Sequence, residues 1–88
     1  MQKQVVVLNS RDDVANALVD LGRGARVEVF VPEQDVQEVV LQDSIPLGHK
    51  FALRRIPAGS HVVKFGIPIG IATQDIEQGE HVHVHNLE

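Results

Sequence analysis

The sequence predicts a small, mainly β domain with one short helix, and three observations predict it. Val and Ile carry the apolar content, and the only aromatic residues are three Phe among 88 residues, a composition that suits strands. Beyond Asp43 the chain breaks into short apolar pieces, "HKFALRRI", "HVVKFG", "IPIGIAT" and "EHVHVHNL". They are divided by Pro46-Leu47-Gly48, Pro57-Ala58-Gly59, Gly66, Gly70 and Gln78-Gly79, so the strands are short and the whole is twisted rather than layered α/β. Only "NSRDDVANALVDLGRG" carries apolar residues at helical spacing. The length allows one domain, residues 1–88, with a thin core.

Taken in order, "KQVVVL" (Lys3 to Leu8) is a β-branched run and reads as the first strand. Ser10 or Asn9 can cap the helix that follows, Asp12 and Asp13 suit its positive end, and Val14, Ala17, Leu18 and Leu21 recur at its period. Gly22 and Gly24 stop it. "ARVEVFV" alternates, with Val27, Val29 and Val31 on one face, and Pro32 ends it. "PEQD" then suits a hairpin turn into "DVQEVVLQ". A faint echo links "RRIPAGSHVVKFG" to "QDIEQGEHVHVHN", which implies a duplicated hairpin with pseudo-twofold symmetry.

Composition excludes several classes of function. The formal charge is -4, and Lys and Arg form no stripe interleaved with aromatics, so nucleic acid is not an expected partner. Cysteine is absent, which removes disulfides, thiolate zinc sites and cysteine nucleophiles. No signal-peptide pattern and no apolar run of membrane-spanning length is present, so a cytoplasmic chain without membrane association is expected. Ser10, Ser44 and Ser60 lack an elbow-like context, and there is no phosphate-cradling glycine loop.

What remains is histidine and lysine. In "GEHVHVHNLE", strand geometry puts His81, His83 and His85 in one row, with Val82 and Val84 opposite. Two imidazoles two residues apart can converge on one ion, but the outer pair is too far apart to join them, so further ligands such as His49 or His61 would be needed. The alternative is the exposed polar face of an edge strand. "GHK" (Gly48, His49, Lys50) sets a cation beside a titratable ring, which suits a carboxylate, or a solvated loop.

The stretch from Gly48 to Glu88 closely resembles the N-terminal domain of the altronate and galactarate dehydratase family, part of the SAF superfamily with its β-clip fold. The family pattern runs G-H-K-x-A-L, I-x-x-G, V-x-[KR]-[YF]-G-x-x-I-G-x-A and I-x-x-G-x-x-V-H-x-H-N. This chain supplies "GHKFAL", "IPAG", "VVKFGIPIGIA" and "IEQGEHVHVHN". The early "SRDDVANAL" resembles the family's D-N-V-A stretch, with Asp13 in place of Asn. The resemblance implies a small, mainly β SAF-like domain that contributes to a carbohydrate-acid lyase eliminating water from a sugar acid. A large catalytic domain or subunit completes it, and homo-oligomerisation is compatible with it.

Carried over by position, the resemblance assigns His49, His83 and His85 to catalysis. Lys50, Lys64 and Asn86 are assigned to binding the sugar-acid carboxylate, and His83 and His85 to a metal. The divalent metal, often iron in the family, would be held mainly by the partner. His81 and His61 are expected at the surface. Three alternatives stay open: the small subunit of a (2R)-sulfolactate sulfo-lyase, a free-standing sugar-acid binding module without catalysis, and a domain that only assists oligomerisation.

Overall fold

A computed structural model describes residues 3–88. It contains eight strands: β1 (Val5–Val6), β2 (Val14–Ala17), β3 (Arg26–Val29), β4 (Gln37–Val40), β5 (Lys50–Ala52), β6 (His61–Lys64), β7 (Ile67–Ile71) and β8 (His81–Val82). The central sheet has four strands in the order β1-β2-β5-β8, antiparallel throughout. The β3–β4 and β6–β7 hairpins flank it. This is the strand-rich architecture of a β-clip, and no helix occurs among the described residues, nor therefore one long and apolar enough to cross a membrane.

Four turns of one construction hold the strands together. Each begins with a buried Leu or Ile and ends on a glycine at positive φ: Leu21 to Gly24, Ile45 to Gly48, Ile56 to Gly59 and Ile76 to Gly79, with φ of 86°, 86°, 86° and 87°. The four glycine N–H groups donate to the carbonyls of Leu41, Ala17, Ala72 and Ala52 respectively, so every turn is clipped onto a neighbouring segment. The turns also pair: Leu21 and Ile45 exchange both backbone hydrogen bonds, as do Ile56 and Ile76. Asp20 accepts from Leu47 N–H just as Asp75 accepts from Ala58 N–H. The sequence echo thus corresponds to a turn that recurs at four places, but not to a duplicated hairpin, because β6 pairs with β7 whereas β8 pairs with β5. At Gly79 the requirement is also steric, because a Cβ would lie 2.2 Å from the Val40 carbonyl oxygen.

The segment expected to be helical is β2, and the reason is burial on both sides. Adjacent residues of β2 and β5 enter different apolar clusters. Ala15, Ala17, Phe51 and Leu53 join one that includes Val27, Val29, Val39, Leu41 and Ile45. Val14 and Ala52 join another with Ile56, Val62, Ala72, Ile76 and Val82. A strand buried on both faces shows no period-2 alternation, and a short apolar run of this kind cannot be told from a helix by period. Leu18, placed on the helix's apolar stripe by its spacing, is 43% exposed. Phe51 is fully buried at the junction, which contributes about 2–3 kcal/mol of transfer free energy.

The acids expected to sit on a helix end do other work. Asn9 Oδ1 accepts from Arg11 N–H in a tight Asx turn, and this delivers Asp12 and Asp13 into the protein interior. Asp12 accepts from Gly66 N–H and Asp13 from Val63 N–H. Asp13 also pairs with Arg54. The two carboxylates thus fasten the β6–β7 hairpin, whose turn residues Phe65 and Gly66 both have positive φ, as a tight primed turn requires.

Candidate functional site

The site is built where β5 meets β8. Register pairs Lys50 with Val82 and Phe51 with His81. One residue beyond, His49 stands opposite His83, and their rings stack with centroids 4.4 Å apart. His81 lies next to both, 5.1 Å from His49 and 5.4 Å from His83 by ring centroid. His49 Nδ1 and His81 Nε2 are 2.9 Å apart, a hydrogen bond in which one nitrogen donates and the other accepts. Nitrogens of His49, His81 and His83 all lie within 4.8 Å of one another, and all three side chains are half-buried.

Turn chemistry sets these positions. His49 directly follows Gly48 and is locked by His49 N–H to the Pro46 carbonyl and Ala17 N–H to the His49 carbonyl. His81 N–H donates to the Asp43 carboxylate. The last strand ends at Val82, because the chain turns over residues 83–86. Asn86 is 3% exposed and makes this turn: its Oδ1 accepts from His83 N–H, its Nδ2 donates to the His81 carbonyl, and its own N–H reaches the His83 carbonyl.

The expected row of three alternating histidines is therefore corrected in detail. Val82 is buried, but Val84, expected beside it, is 83% exposed. His85 lies on the turn, exposed, with its ring tilted against that of His81 at 5.4 Å. His81, expected at the surface, is the middle of the cluster, and only His61 of the five stands exposed on a separate hairpin. Asn86, assigned to substrate, has both side-chain polar atoms engaged with the histidine backbone. The signal for His81 was present in the alternation itself. What was missing was the register that puts His49 across from it.

Charge around the cluster is positive. Burial, and then the Lys64 ammonium, lower the pKa of Lys50. Desolvation, and then the positive charge of His49, hold His81 and His83 below the ordinary imidazole value, and Lys50 adds to the effect at His83. The Asp43 carboxylate opposes it at His81. Lys64 also lies 5.0 Å from the Phe65 ring centroid. Imidazoles gathered beside a lysine suit two ligand classes: a metal ion on the ring nitrogens and an anion on the lysine.

The match to the altronate/galactarate dehydratase SAF domain extends over residues 3–88. The chain belongs to this family. It is 46% identical over 83 residues to an altronate dehydratase of Escherichia coli and 40% identical over 86 residues to one of Bacillus subtilis. These alignments cover 94% and 98% of this chain but only 16% of each dehydratase, so this SAF domain corresponds to a small part of those enzymes. It is also 38% identical over 85 residues to a (2R)-sulfolactate sulfo-lyase subunit alpha of Chromohalobacter salexigens, covering 93% of this chain and 90% of that subunit. The same SAF domain thus occurs both as a segment of a long chain and as a subunit of its own length.

Proposed function

We propose that this SAF domain is the small, substrate-contacting part of a cytoplasmic carbohydrate-acid lyase that eliminates water from a sugar acid of the altronate or galactarate type. The observation that carries this reading is the gathering of His49, His81 and His83 into one cluster, with Lys50 close enough to act on His83 and Lys64 on Lys50, in a chain of this family. Elimination next to a carboxylate needs a base for the C2 proton, positive charge for the developing enediolate and assistance to the departing hydroxyl. Lys50 and Lys64 bind the carboxylate and stabilise the negative charge that spreads onto it. An imidazole with a lowered pKa is neutral near pH 7, which leaves His83 able to accept a proton and return it to the leaving group. His49 stacks on His83 beside the path of that proton, His85 adds positive charge from the turn, and Asn86 keeps the turn in place.

A large catalytic part, fused or separate, supplies the rest of the site. In this reading a divalent metal, iron for preference, provides Lewis-acid assistance and is held mainly by that part. The alternative product chemistry is elimination of sulfite from sulfolactate, favoured by the near-complete overlap with a sulfo-lyase alpha subunit. The test is to purify the native assembly containing this chain and assay it on altronate, galactarate and sulfolactate. Formation of a 2-keto-3-deoxy acid, falling at least about 100-fold in His49→Ala and in Lys50→Met, supports the dehydratase. Sulfite release transfers the reading to the sulfo-lyase. Recovery of the chain alone, binding sugar acids without turnover, overturns the lyase in favour of a binding module.

A further inference from the structure

We infer that His49, His81 and His83 form a transition-metal site carried by this chain itself, with open coordination positions. Imidazole nitrogens bind Zn(II) and similar ions at about 2.0–2.1 Å, so two ligands on one ion at 90–109° stand about 2.9–3.4 Å apart. His49 Nδ1 and His81 Nε2 are already 2.9 Å apart, and the His83 nitrogen is within 4.8 Å of both.

The backbone under each ligand is fixed, which lowers the entropy lost on binding. His49 is clipped to Ala17 and Pro46, His81 to Asp43 and Asn86, and His83 twice to Asn86. No carboxylate forms an ion pair with these three rings among the described residues. Their mutual hydrogen bond and stacking are the contacts that an ion would replace. Three neutral nitrogen ligands select Zn(II), Fe(II), Co(II) or Ni(II) over Ca(II) and Mg(II), which prefer oxygen. They also leave the ion its full positive charge and at least one free position, as in catalytic rather than structural sites.

The ammonium groups of Lys50 and Lys64 decide what fills that position. A dication near the Lys50 ammonium, which acts on His83 and is itself near Lys64, is repelled unless an anion lies between them, so the site takes its metal together with a carboxylate. That last clause rests on the lyase reading, whereas the three-histidine site does not. His85 is outside the set: it lies exposed on the turn, with its ring tilted against that of His81.

The test is a titration of the chelator-treated chain with Co(II), read by visible absorption, and with Zn(II), read by calorimetry, each with and without galactarate. The expected result is one equivalent bound with visible d–d bands. His49→Ala, His81→Ala and His83→Ala should each lose at least the ~10–100-fold in affinity that outer-shell changes alone cost, while His85→Ala and His61→Ala titrate like the parent. Thermal unfolding of each variant establishes that it is folded. Galactarate should tighten Co(II) binding and shift its bands; no shift overturns the carboxylate clause alone. Absence of binding, or a loss in His85→Ala equal to that in His81→Ala, overturns the site. Metal binding in a chain that yields no lyase activity in its native assembly would overturn the proposed function and leave the metal site standing.

Discussion

Two groups of polar side chains in this molecule have opposite fates. Asp12 and Asp13, 2% and 9% exposed, are taken into the interior and hydrogen-bonded to the β6–β7 hairpin. His49, His81 and His83 are half-buried, and their rings meet mainly one another. Both groups look alike in the sequence, as clustered titratable residues. The difference is what the backbone offers them. Asp13 meets the Val63 N–H and the Arg54 guanidinium, and Asp12 Oδ1 meets the Gly66 N–H, so three of their four carboxylate oxygens are used in folding, while Asp12 Oδ2 is buried without a partner. The imidazoles sit on backbone that is already paired, and the hydrogen bond between their ring nitrogens, His49 Nδ1 to His81 Nε2, stays within the cluster and can be given up to a ligand. A residue is a site candidate when the fold fixes its main chain and its side chain is bonded within the cluster rather than to the backbone.

The sharpest way to break this contrast is to remove one member of each group. Asp13→Ala should lower stability by about 2–4 kcal/mol, because it strands Val63 N–H and Arg54 together. That figure is discounted for Arg54, whose side chain is 58% exposed against 12% for Asp13. In a domain of this size the melting temperature should fall by roughly 10–25 °C. His49→Ala should change stability by less than about 1 kcal/mol. Equal losses in thermal unfolding would show that the imidazoles are structural too, and the distinction would collapse.

The same contrast explains what could be read in advance. The strands from Arg26 to Val40 were legible because Val27 and Val29 alternate with exposed neighbours across one buried face. β2 was not, since Val14 and Ala15 feed clusters on opposite sides. The Ile-x-x-Gly spacing was visible at Ile56 and Ile76, but the equivalence with Leu21 and Ile45 needed the paired backbone hydrogen bonds to become apparent. In the site, His49, Lys50 and His83 were legible from their motif. His81 was not, because the register that brings β8 alongside β5 joins residues some thirty positions apart, and a non-local pairing of this kind leaves no mark in either segment alone.

Asn86 belongs to neither group and sharpens the comparison between them. It is a buried polar residue whose partners are the main-chain groups of the histidines themselves. Asn86→Ala should cost about 1–3 kcal/mol, less than Asp13→Ala, since no charge is left unpaired. Unlike Asp13→Ala, it should also disturb the imidazole cluster, seen as changed histidine ring chemical shifts at a temperature where the variant is fully folded. A variant that loses stability while those shifts stay at their parental values would mean that the turn does not position the rings.

The smallest expected effect is in the pH dependence of stability of the metal-free chain, where His81, His83 and the Asp75 carboxylate contribute with one sign. His81 and His83 have lowered values in the folded state, so below the unfolded imidazole value of ~6.5 the unfolded chain binds more protons. Their contribution is complete above that pH and is lost as pH falls through the folded values. Four groups face these rings and shape that limb: His49, His85, Lys50 and the opposing Asp43. Asp75 is lowered too, by the Ala58 N–H it accepts and then by Arg55, so its contribution is present above ~3.8 and lost as pH falls further. Urea titrations across pH 3 to 8 should therefore show two shallow declines toward acid. His81→Ala should flatten the upper one and Asp75→Asn the lower one. If His81→Ala leaves the upper decline intact, the rings titrate as if they were free in water, and the half-buried cluster does not hold its shape in solution.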